Sequence, residues 1–573
     1  MKVLDIIFSI GGALFVFFGL LGLGNLLISQ TRLNLPDGHG KVAVGFGLFY
    51  SLFLVFSLLF PPSLVWYACL LTFLIAIVSQ RKFILANLSR VQWKDPFIGI
   101  LILLFLPYLF RYFGPPVNDD GLSFYLPNVA WIFSKGLEFN PYLTNFTTMP
   151  LGIEYLFTIP FGFTGISGIH SLDALGAFAL IHLLYSIGKY FFSVQMARVL
   201  VLSALLIKGT LFFVFASGKI DTWNTYIIMT GIVLFIRSVH SRKITGVFLI
   251  FSIALGIKYT NWLLLLLPLG YLLYLIYQRE KFRKVAFLSL VPLFFAGSVM
   301  VKNQIHVNNP LAPIIYTGTE SRYIENHGEI PMQAMDESLE SKGGAILSFL
   351  YQLPRGIYPL GFFLFVLIIL WNARRRKVEI STELVQSSIL VLLMVLPWFI
   401  ILGVSNQPLR YIWAPLLLGL VILLKVIEEL LRSKTKVLIL FQKIAIRLLS
   451  VAAMTIIYTK HSFYIVDFFK LPNKSLPEWY SLADKNHYAI SYRFKELGLH
   501  HQNVHYQEPV ALGAFDVEDY GNIPDQEELT RMKSYPDLRG DFVLSRGKEK
   551  LDSLQKEDIL VQYGDYFIYK LRK

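Results

Sequence analysis

Long apolar runs separated by short polar stretches fill the chain up to residue 458. A helix that crosses a bilayer needs about 20 apolar residues, and the pattern predicts about 14 such helices. They lie near residues 4–28, 42–60, 63–79, 97–113, 172–188, 196–215, 222–236, 244–257, 262–277, 286–301, 357–372, 385–403, 411–426 and 438–458. The segment 150–165 contains Pro150, Pro160 and several glycines, so it favours a helix at the membrane interface over a full span.

The last 115 residues have a different pattern. Residues 459–573 carry 16 basic and 18 acidic side chains, whereas the much longer stretch 1–458 carries 36 and 20. A composition shift of this kind marks a domain boundary. Alternating runs predict a strand at 541–544 and a hairpin of 559–563 with 566–570, and helices are expected at 490–497 and 548–554. The sequence therefore predicts a small, soluble α/β domain at this end.

Composition and charge agree with a membrane protein. Of the 573 residues, 55% are hydrophobic and only 16% are charged, which excludes an ordinary soluble composition. The net charge of +14 raises the question of nucleic acid. The positive charge is concentrated in seven loops, which together hold 25 basic and seven acidic side chains. These loops are residues 29–41, 80–95, 189–198, 237–243, 278–284, 374–383 and 425–447.

Basic loops of membrane proteins stay in the cytoplasm. The stretches between these loops are poor in basic residues and are predicted to lie outside; they are residues 114–150, 216–221, 258–261, 302–355 and 404–410. The alternation places both termini on the extracytoplasmic side of an inner (plasma) membrane. The positive charge is thus an orientation signal, and nucleic acid is not a predicted partner.

Several kinds of chemistry find no support in the sequence. Cys69 is the only cysteine, which excludes an intramolecular disulfide framework and a cysteine zinc cluster. The sequence has no GxGxxG, Walker A or HExxH motif. Because the predicted cytoplasmic loops are also short, we expect any chemistry to take place on the outer side, with a substrate that is already activated.

An acidic pair follows the span that ends near residue 113. Asp119 and Asp120 are adjacent, and they precede a helix expected from residue 122 to residue 135. Neighbouring carboxylates at a membrane edge repel each other and cost desolvation energy, so they indicate binding of cations, protons or hydroxyls. Aspartate is also a favoured N-cap residue. The sequence leaves both interpretations of the pair open.

Other charged residues stand at predicted outer ends of spans. Asp221 begins one span, and N-capping is again the alternative. Lys258 and Arg410 are cations on a side where cations are scarce, and they could hold a phosphate at headgroup depth. Their alternative is snorkelling, in which the charged end simply reaches water. Weaker acidic candidates are Glu138, Glu154 and Asp173, of which Asp173 is expected to begin its helix.

Three segments resemble a known family. The run Asp120-Gly-Leu-Ser-Phe-Tyr-Leu-Pro127 is similar to the acidic first-loop motif of bacterial GT-C glycosyltransferases, which include protein mannosyltransferases and the aminoarabinose transferase of lipid A. The segments Lys258-Tyr-Thr and Arg410-Tyr-x-x-x-Pro415 resemble later outer elements of these enzymes. The likeness covers residues 97–458 and rests on the order, spacing and side of the motifs.

The resemblance implies a polytopic α-helical, GT-C-like fold and a glycosyltransferase activity. The donor would be a polyprenyl-phosphate-linked sugar, and the acceptor a glycan, lipid or protein that approaches from outside, next to membrane lipid. Asp120 or Asp119 would be the catalytic base, with Asp120 favoured. Residues expected to bind substrate are Lys258, Arg410, Asp221, Tyr125 and Tyr411. No cofactor is certain; the three aspartates could supply oxygen ligands to a divalent metal but do not predict one.

The chain departs from the family pattern in two ways. About three extra spans, within residues 1–96, precede the acidic motif, so the family-like core is 97–458 with outer loops 114–170 and 302–355, followed by the extracytoplasmic domain 459–573. Tyr125 stands where many relatives have histidine. Two other functions remain open: a secondary transporter or flippase of a lipid-linked glycan, with buried charges for coupling ions, and an enzyme like O-antigen polymerases or ligases, with its active groups in 302–355.

Overall fold

The structure is a computed structural model. It describes residues 3–31, 38–88, 95–112, 125–140, 147–206, 220–238, 244–278, 282–312, 371, 382–402, 413–432, 435–461, 493, 497, 504–506, 542–546, 559–563 and 566–570. Its helices are α1 (Val3–Thr31), α2 (Gly38–Leu59), α3 (Pro62–Ser79), α4 (Arg81–Leu88), α5 (Pro96–Tyr112), α6 (Leu126–Lys135), α7 (Gly152–Thr164), α8 (Ile166–Phe191), α9 (Val194–Leu206), α10 (Asp221–Ser238), α11 (Ile244–Ala254), α12 (Thr260–Tyr277), α13 (Phe282–Val307), α14 (Thr382–Leu402), α15 (Trp413–Arg432) and α16 (Thr435–His461).

The chain is an α-helical membrane protein. Within the described residues, seven helices are long and apolar enough to cross a membrane: Ile6–Thr31, Gly38–Leu59, Pro62–Ser79, Ile166–Phe191, Thr260–Tyr277, Phe282–Val307 and Thr435–Ile456. Shorter apolar helices are Phe97–Leu106, Val194–Leu206, Ile244–Ala254 and Val385–Leu396. The span predicted near 357–372 lies outside the described residues, apart from Trp371.

Helices α1 and α2 cross closely because glycines face each other. A Cβ atom on Gly24 would lie 1.8 Å from the Lys41 carbonyl oxygen, and one on Gly45 would lie 1.9 Å from the Leu20 carbonyl oxygen. No side chain fits at such distances, so the two backbones touch. Small residues at a helix interface allow this approach where lipid provides no hydrophobic drive to associate.

Hydrogen bonds join the helix ends that were predicted to be cytoplasmic. Tyr185 donates to Asp95 Oδ2 at 2.8 Å, and Arg198 pairs with Asp95 Oδ1 at 2.7 Å. Gln442 Nε2 donates to Ser193 Oγ at 3.1 Å. Lys425 Nζ donates to the Phe191 carbonyl at 2.9 Å, and Glu428 accepts from the Ser193 backbone nitrogen at 3.2 Å. We call Asp95, Tyr185, Arg198, Lys425 and Glu428 the inner cluster. Segments assigned to one side by their basic loops therefore meet in space.

Helix α7 corrects an expectation. It is a helix with Pro160 inside it, but the first nine residues, Gly152 to Pro160, are all buried. An interfacial helix would keep one polar face in water. Here α1, α2, α3, α6 and α8 pack around it instead, so protein encloses this helix.

The C-terminal part contains a four-stranded sheet of order β1-β2-β4-β3. The strands are β1 (Val504–Tyr506), β2 (Phe542–Arg546), β3 (Ile559–Tyr563) and β4 (Tyr566–Lys570). Strand β1 pairs parallel with β2, and β4 pairs antiparallel with both β2 and β3. The predicted strand at 541–544 and the predicted hairpin are confirmed. The helices expected at 490–497 and 548–554 fall outside the described residues, except for Arg493 and Leu497.

Candidate functional site

The structure describes three of the seven predicted site residues. Asp221, Lys258 and Tyr125 belong to described segments. Asp119, Asp120, Arg410 and Tyr411 lie outside the described residues. The geometry of the site is therefore built from the helix ends that carry Asp221 and Lys258.

Asp221 and Lys258 form a buried ion pair. Lys258 Nζ donates to Asp221 Oδ1 at 2.6 Å, and the two side chains are 6% and 1% exposed, with lysine first. Asp221 is the first residue of α10. Its ion pair with Lys258 is a contact that N-capping alone does not explain. Snorkelling of Lys258 to water, the alternative for this residue, does not hold. The sequence predicted both residues as site residues but did not predict that they pair with each other.

A tight turn between α11 and α12 brings Lys258 to this position. The backbone nitrogens of Gly256 and Ile257 donate to the carbonyls of Ile253 and Ala254, each at 3.1 Å. The turn reverses the chain within a few residues after α11 ends. Lys258 then lies just ahead of α12, opposite the first turn of α10.

Two asparagines form a second polar contact beside the ion pair. Asn261 Nδ2 donates to Asn224 Oδ1 at 2.6 Å, and Asn224 Nδ2 donates back to Asn261 Oδ1 at 3.3 Å. Both residues are buried. Asn224 follows Asp221 by three positions and shares a face of α10 with it. Asn261 follows Lys258, which lies just ahead of α12, by the same three positions. The two helices thus meet through polar groups at two successive levels.

Glu154 and Lys302 add two more charges to this end of the bundle. Glu154, in the first turn of α7, is 2% exposed. It interacts electrostatically with Lys302, Lys258 and Asp221. Its Oε2 atom is buried and has no hydrogen-bond partner among the described residues. We call Glu154, Asp221, Lys258 and Lys302 the outer cluster, after the side predicted for them.

The end of α13 holds the chain that enters α7. Lys302 Nζ donates to the carbonyls of Thr147 and Met149, the latter at 2.8 Å. Asn303 Nδ2 donates to the Thr148 carbonyl at 2.8 Å. Lys302 is thus the second cation of the outer cluster, and it also holds the backbone at 147–149 by hydrogen bonds.

Gly152 completes this junction. Its backbone nitrogen donates to the Gly256 carbonyl at 3.1 Å. A Cβ atom on Gly152 would lie 2.6 Å from that same oxygen, so a larger residue would push the two segments apart. The start of α7 is therefore locked against the turn that precedes Lys258.

Three residues given less weight in the sequence have different outcomes. Glu154, a weak candidate from the sequence, belongs to the outer cluster; the sequence signal for it is an acid inside an apolar run, four positions after Pro150. Asp173 does not begin its helix, since α8 starts at Ile166 and Asp173 is fully buried within it. Glu138 is exposed and lies in the loop after α6, outside the outer cluster.

Tyr125 precedes the first residue of α6 and is 9% exposed. Its backbone is already helical, with φ −69° and ψ −46°. Its predicted role in substrate binding stays a prediction. Among the described residues, no three His, Cys, Asp or Glu side chains are grouped to hold a metal ion. Asp119 and Asp120, the other two aspartates considered as metal ligands, lie outside the described residues.

The outer cluster contains two acids and two cations. Burying one charge costs several kcal/mol, which a close partner offsets. Because Asp221 already holds the charge of Lys258, an incoming phosphate would have to share this lysine with the carboxylate. Comparison of the chain with protein-family models, with curated proteins and with solved structures finds no match.

Proposed function

We propose that this chain is a membrane glycosyltransferase of the GT-C type. It would move a sugar from a polyprenyl-phosphate donor to a glycan, lipid or protein acceptor on the extracytoplasmic side of the plasma membrane. The observation that carries the proposal is the outer cluster, with its buried pair of Asp221 and Lys258. Ionisable residues buried in membrane proteins are costly and mark functional sites by default.

Chain connectivity supports convergence of the predicted residues on this cluster. Asp120 precedes Tyr125 by five positions, so an extended chain holds it within about 18 Å of the start of α6. Helix α6 packs against α7, which carries Glu154. Arg410 precedes the first residue of α15 by three positions, and α15 packs against α10, which begins with Asp221.

In the proposed reaction, Asp120 or Asp119 accepts the proton of an acceptor hydroxyl. The hydroxyl oxygen forms a bond to the anomeric carbon of the donor sugar, while the bond from that carbon to the phosphate oxygen breaks. Polyprenyl phosphate leaves with the electron pair, and a single displacement inverts the anomeric configuration. General-base assistance of this kind contributes about 10²- to 10⁴-fold.

Cations near the leaving group would stabilise the charge that develops on the phosphate. Arg410 and Lys258 are the proposed groups. Asp221 would then be a positioning residue, because it holds Lys258 Nζ at 2.6 Å in a protein-enclosed environment. Tyr125 and Tyr411 are proposed to line the substrate site, and a divalent metal held by the aspartates stays an open part of the proposal.

The finer architecture belongs to the same proposal. It comprises about 14 spans, both termini outside, and residues 459–573 as a soluble α/β domain in the extracytoplasmic space. The described sheet supports the domain, and the hydrogen bonds between helix ends support the assignment of sides.

A second function is favoured by the same ion pair. Buried charges that can change partners suit a secondary transporter or flippase, where they respond to a coupling ion. Asp221 and Lys258 lie beside a turn at the predicted outer ends of helices, and this position suits a site near the outer membrane boundary better than a central pathway. For an enzyme like an O-antigen polymerase or ligase, the active groups would lie in 302–355 instead.

The test is transfer of radiolabelled sugar from lipid-linked donors in membranes that contain the protein. We expect Asp120→Asn to lower product formation by about 10²-fold or more. Glu138→Gln is the matched control, because Glu138 is an exposed acid on the same predicted side. Full transfer by both Asp120→Asn and Asp119→Asn would rule the proposal out. Movement of labelled lipid across vesicles without any product would support a flippase.

A further inference from the structure

Helix α16 carries three cations on one exposed face. Lys436, Lys443 and Arg447 are all exposed. They are spaced by seven and four positions, which at 3.6 residues per turn places them along one side of the helix. The helix contains no aspartate or glutamate.

A different side of α16, about 110° around the helix from the cations, faces the protein. Gln442 and Ala453 are buried there, and Gln442 bonds Ser193. The helix packs against α5, α9 and α15. Next to the cations, the exposed surface of α16 is apolar; its large residues are Val437, Ile439, Leu440, Ile444, Leu448 and Val451. An exposed apolar surface on a membrane protein is the surface that contacts lipid chains.

The depth of the cations in the membrane determines which lipid groups they can contact. The stretch between Arg447 and Lys460 has 12 uncharged residues, or about 18 Å of helix. The hydrocarbon core is about 30 Å thick. A span that ends near Lys460 therefore places Arg447 and Lys443 below the headgroup level on the predicted cytoplasmic side. Such side chains extend along the helix toward the interface, where phosphate groups lie.

Acids on the neighbouring helix are engaged elsewhere. Lys425 of α15 pairs with Glu429 at 2.8 Å and with Glu428 at 3.5 Å. Among the described residues, Lys436, Lys443 and Arg447 form no ion pair. The surface thus combines positive charge with apolar surface and matches a ligand that has a negative head and apolar chains.

We propose that this face of α16 binds anionic phospholipid in the leaflet on the cytoplasmic side. The phosphate groups contact Lys436, Lys443 and Arg447, and the acyl chains lie along the apolar residues beside them. This site is separate from the outer cluster and does not depend on the glycosyltransferase proposal. Its occupant is defined by charge complementarity together with membrane depth.

The test uses the full chain in nanodiscs that contain phosphatidylglycerol and phosphatidylcholine in equal parts. Lipids retained after mild extraction are counted by native mass spectrometry. Each cation near an anionic surface contributes about fivefold in affinity, so the triple variant K436Q/K443Q/R447Q should retain about 100-fold less phosphatidylglycerol relative to phosphatidylcholine. The matched control R81Q/K82Q/R283Q removes three exposed cations, also from the predicted cytoplasmic side, and should keep the preference.

Several outcomes overturn the proposal. Unchanged phosphatidylglycerol retention in the triple variant does so, and so does an equal loss in the control, which would show a general charge effect. A change in oligomeric state without a change in retained lipid would mean that the face binds a second copy of the chain. If the triple variant does not fold, R447Q alone is compared with R447K: the first should lose about fivefold in retention and the second should keep it, and equal retention contradicts the site.

Discussion

The outer and inner clusters contain ion pairs of nearly the same length in very different surroundings. Lys258 and Asp221 are 2.6 Å apart with side chains that are 6% and 1% exposed, whereas Arg198 and Asp95 are 2.7 Å apart with 21% and 10%. Burial therefore separates the two pairs, and distance does not. A partly exposed pair is screened by water and contributes less to stability, whereas a buried one strongly resists the loss of either partner.

The two ion pairs also differ in the other groups that surround them. Asp95 also accepts hydrogen bonds from the Phe97 backbone nitrogen and the Tyr185 hydroxyl, so it caps α5 and links three helix ends. The outer cluster instead gathers a second acid, Glu154, whose Oε2 has no hydrogen-bond partner among the described residues. The inner cluster has the features of a structural joint, and the outer one those of a site.

The largest expected effect is the loss of one partner of the outer pair. Asp221→Ala or Lys258→Ala should each lower the free energy of unfolding by about 3–5 kcal/mol, because the remaining charge stays buried. The corresponding Arg198→Ala variant should cost only about 0.2–1 kcal/mol, and Asp95→Ala about 0.5–2 kcal/mol because it also removes the cap of α5. Unfolding in mixed micelles measures both sets.

The double variants sharpen this contrast. Asp221→Ala with Lys258→Ala removes both charges, so its loss should be much smaller than the sum of the two single losses. The double variant at Asp95 and Arg198 should depart from additivity by only about 0.2–1 kcal/mol. Additivity at the outer pair would contradict its burial and, with it, the difference drawn between the two clusters.

A medium effect is expected from the glycine that closes the outer junction. Gly152→Ala should lower the free energy of unfolding by about 1–3 kcal/mol, because its Cβ would crowd the Gly256 carbonyl oxygen. Gly297→Ala is the matched control, since nothing lies within 4 Å of its added Cβ; it should be neutral or slightly stabilising. Equal thermal midpoints for both variants would show that the junction is loosely packed.

The smallest effect is the pH dependence of the inner pair. Burial alone would raise the pKa of Asp95, but the hydrogen bonds from Phe97 and Tyr185 and the charge of Arg198 lower it overall. A lowered folded-state pKa contributes stability above the usual value of about 3.9, and this is lost as pH falls through the folded value. Thermal midpoints between pH 7 and pH 3 should therefore fall more for the natural chain than for Asp95→Asn. A larger fall for the variant would reverse the sign and contradict the assignment.

Much of the helical framework follows from the sequence, because apolar runs of fixed length can satisfy their backbone only as helices in lipid. The hairpin of β3 and β4 follows from alternation around Gly564 and Asp565. The pairing of Asp221 with Lys258 could not be predicted, since it depends on how a turn 37 positions later is folded against α10. The burial of α7 was missed for a similar reason: proline and glycine indicate a broken span, but not which helices surround it.

The two polar contacts that join α10 to the start of α12 and to Lys258 just ahead of it have one more consequence. Asp221 with Lys258 and Asn224 with Asn261 both join residues 37 positions apart, so they share one register. A slide of either helix by one turn, about 5.4 Å along the bilayer normal, would break both contacts at once. Because α10 is buried among other helices, such a slide would also disturb its apolar packing. The two contacts therefore help to fix how deeply one helix is inserted in the membrane relative to the other.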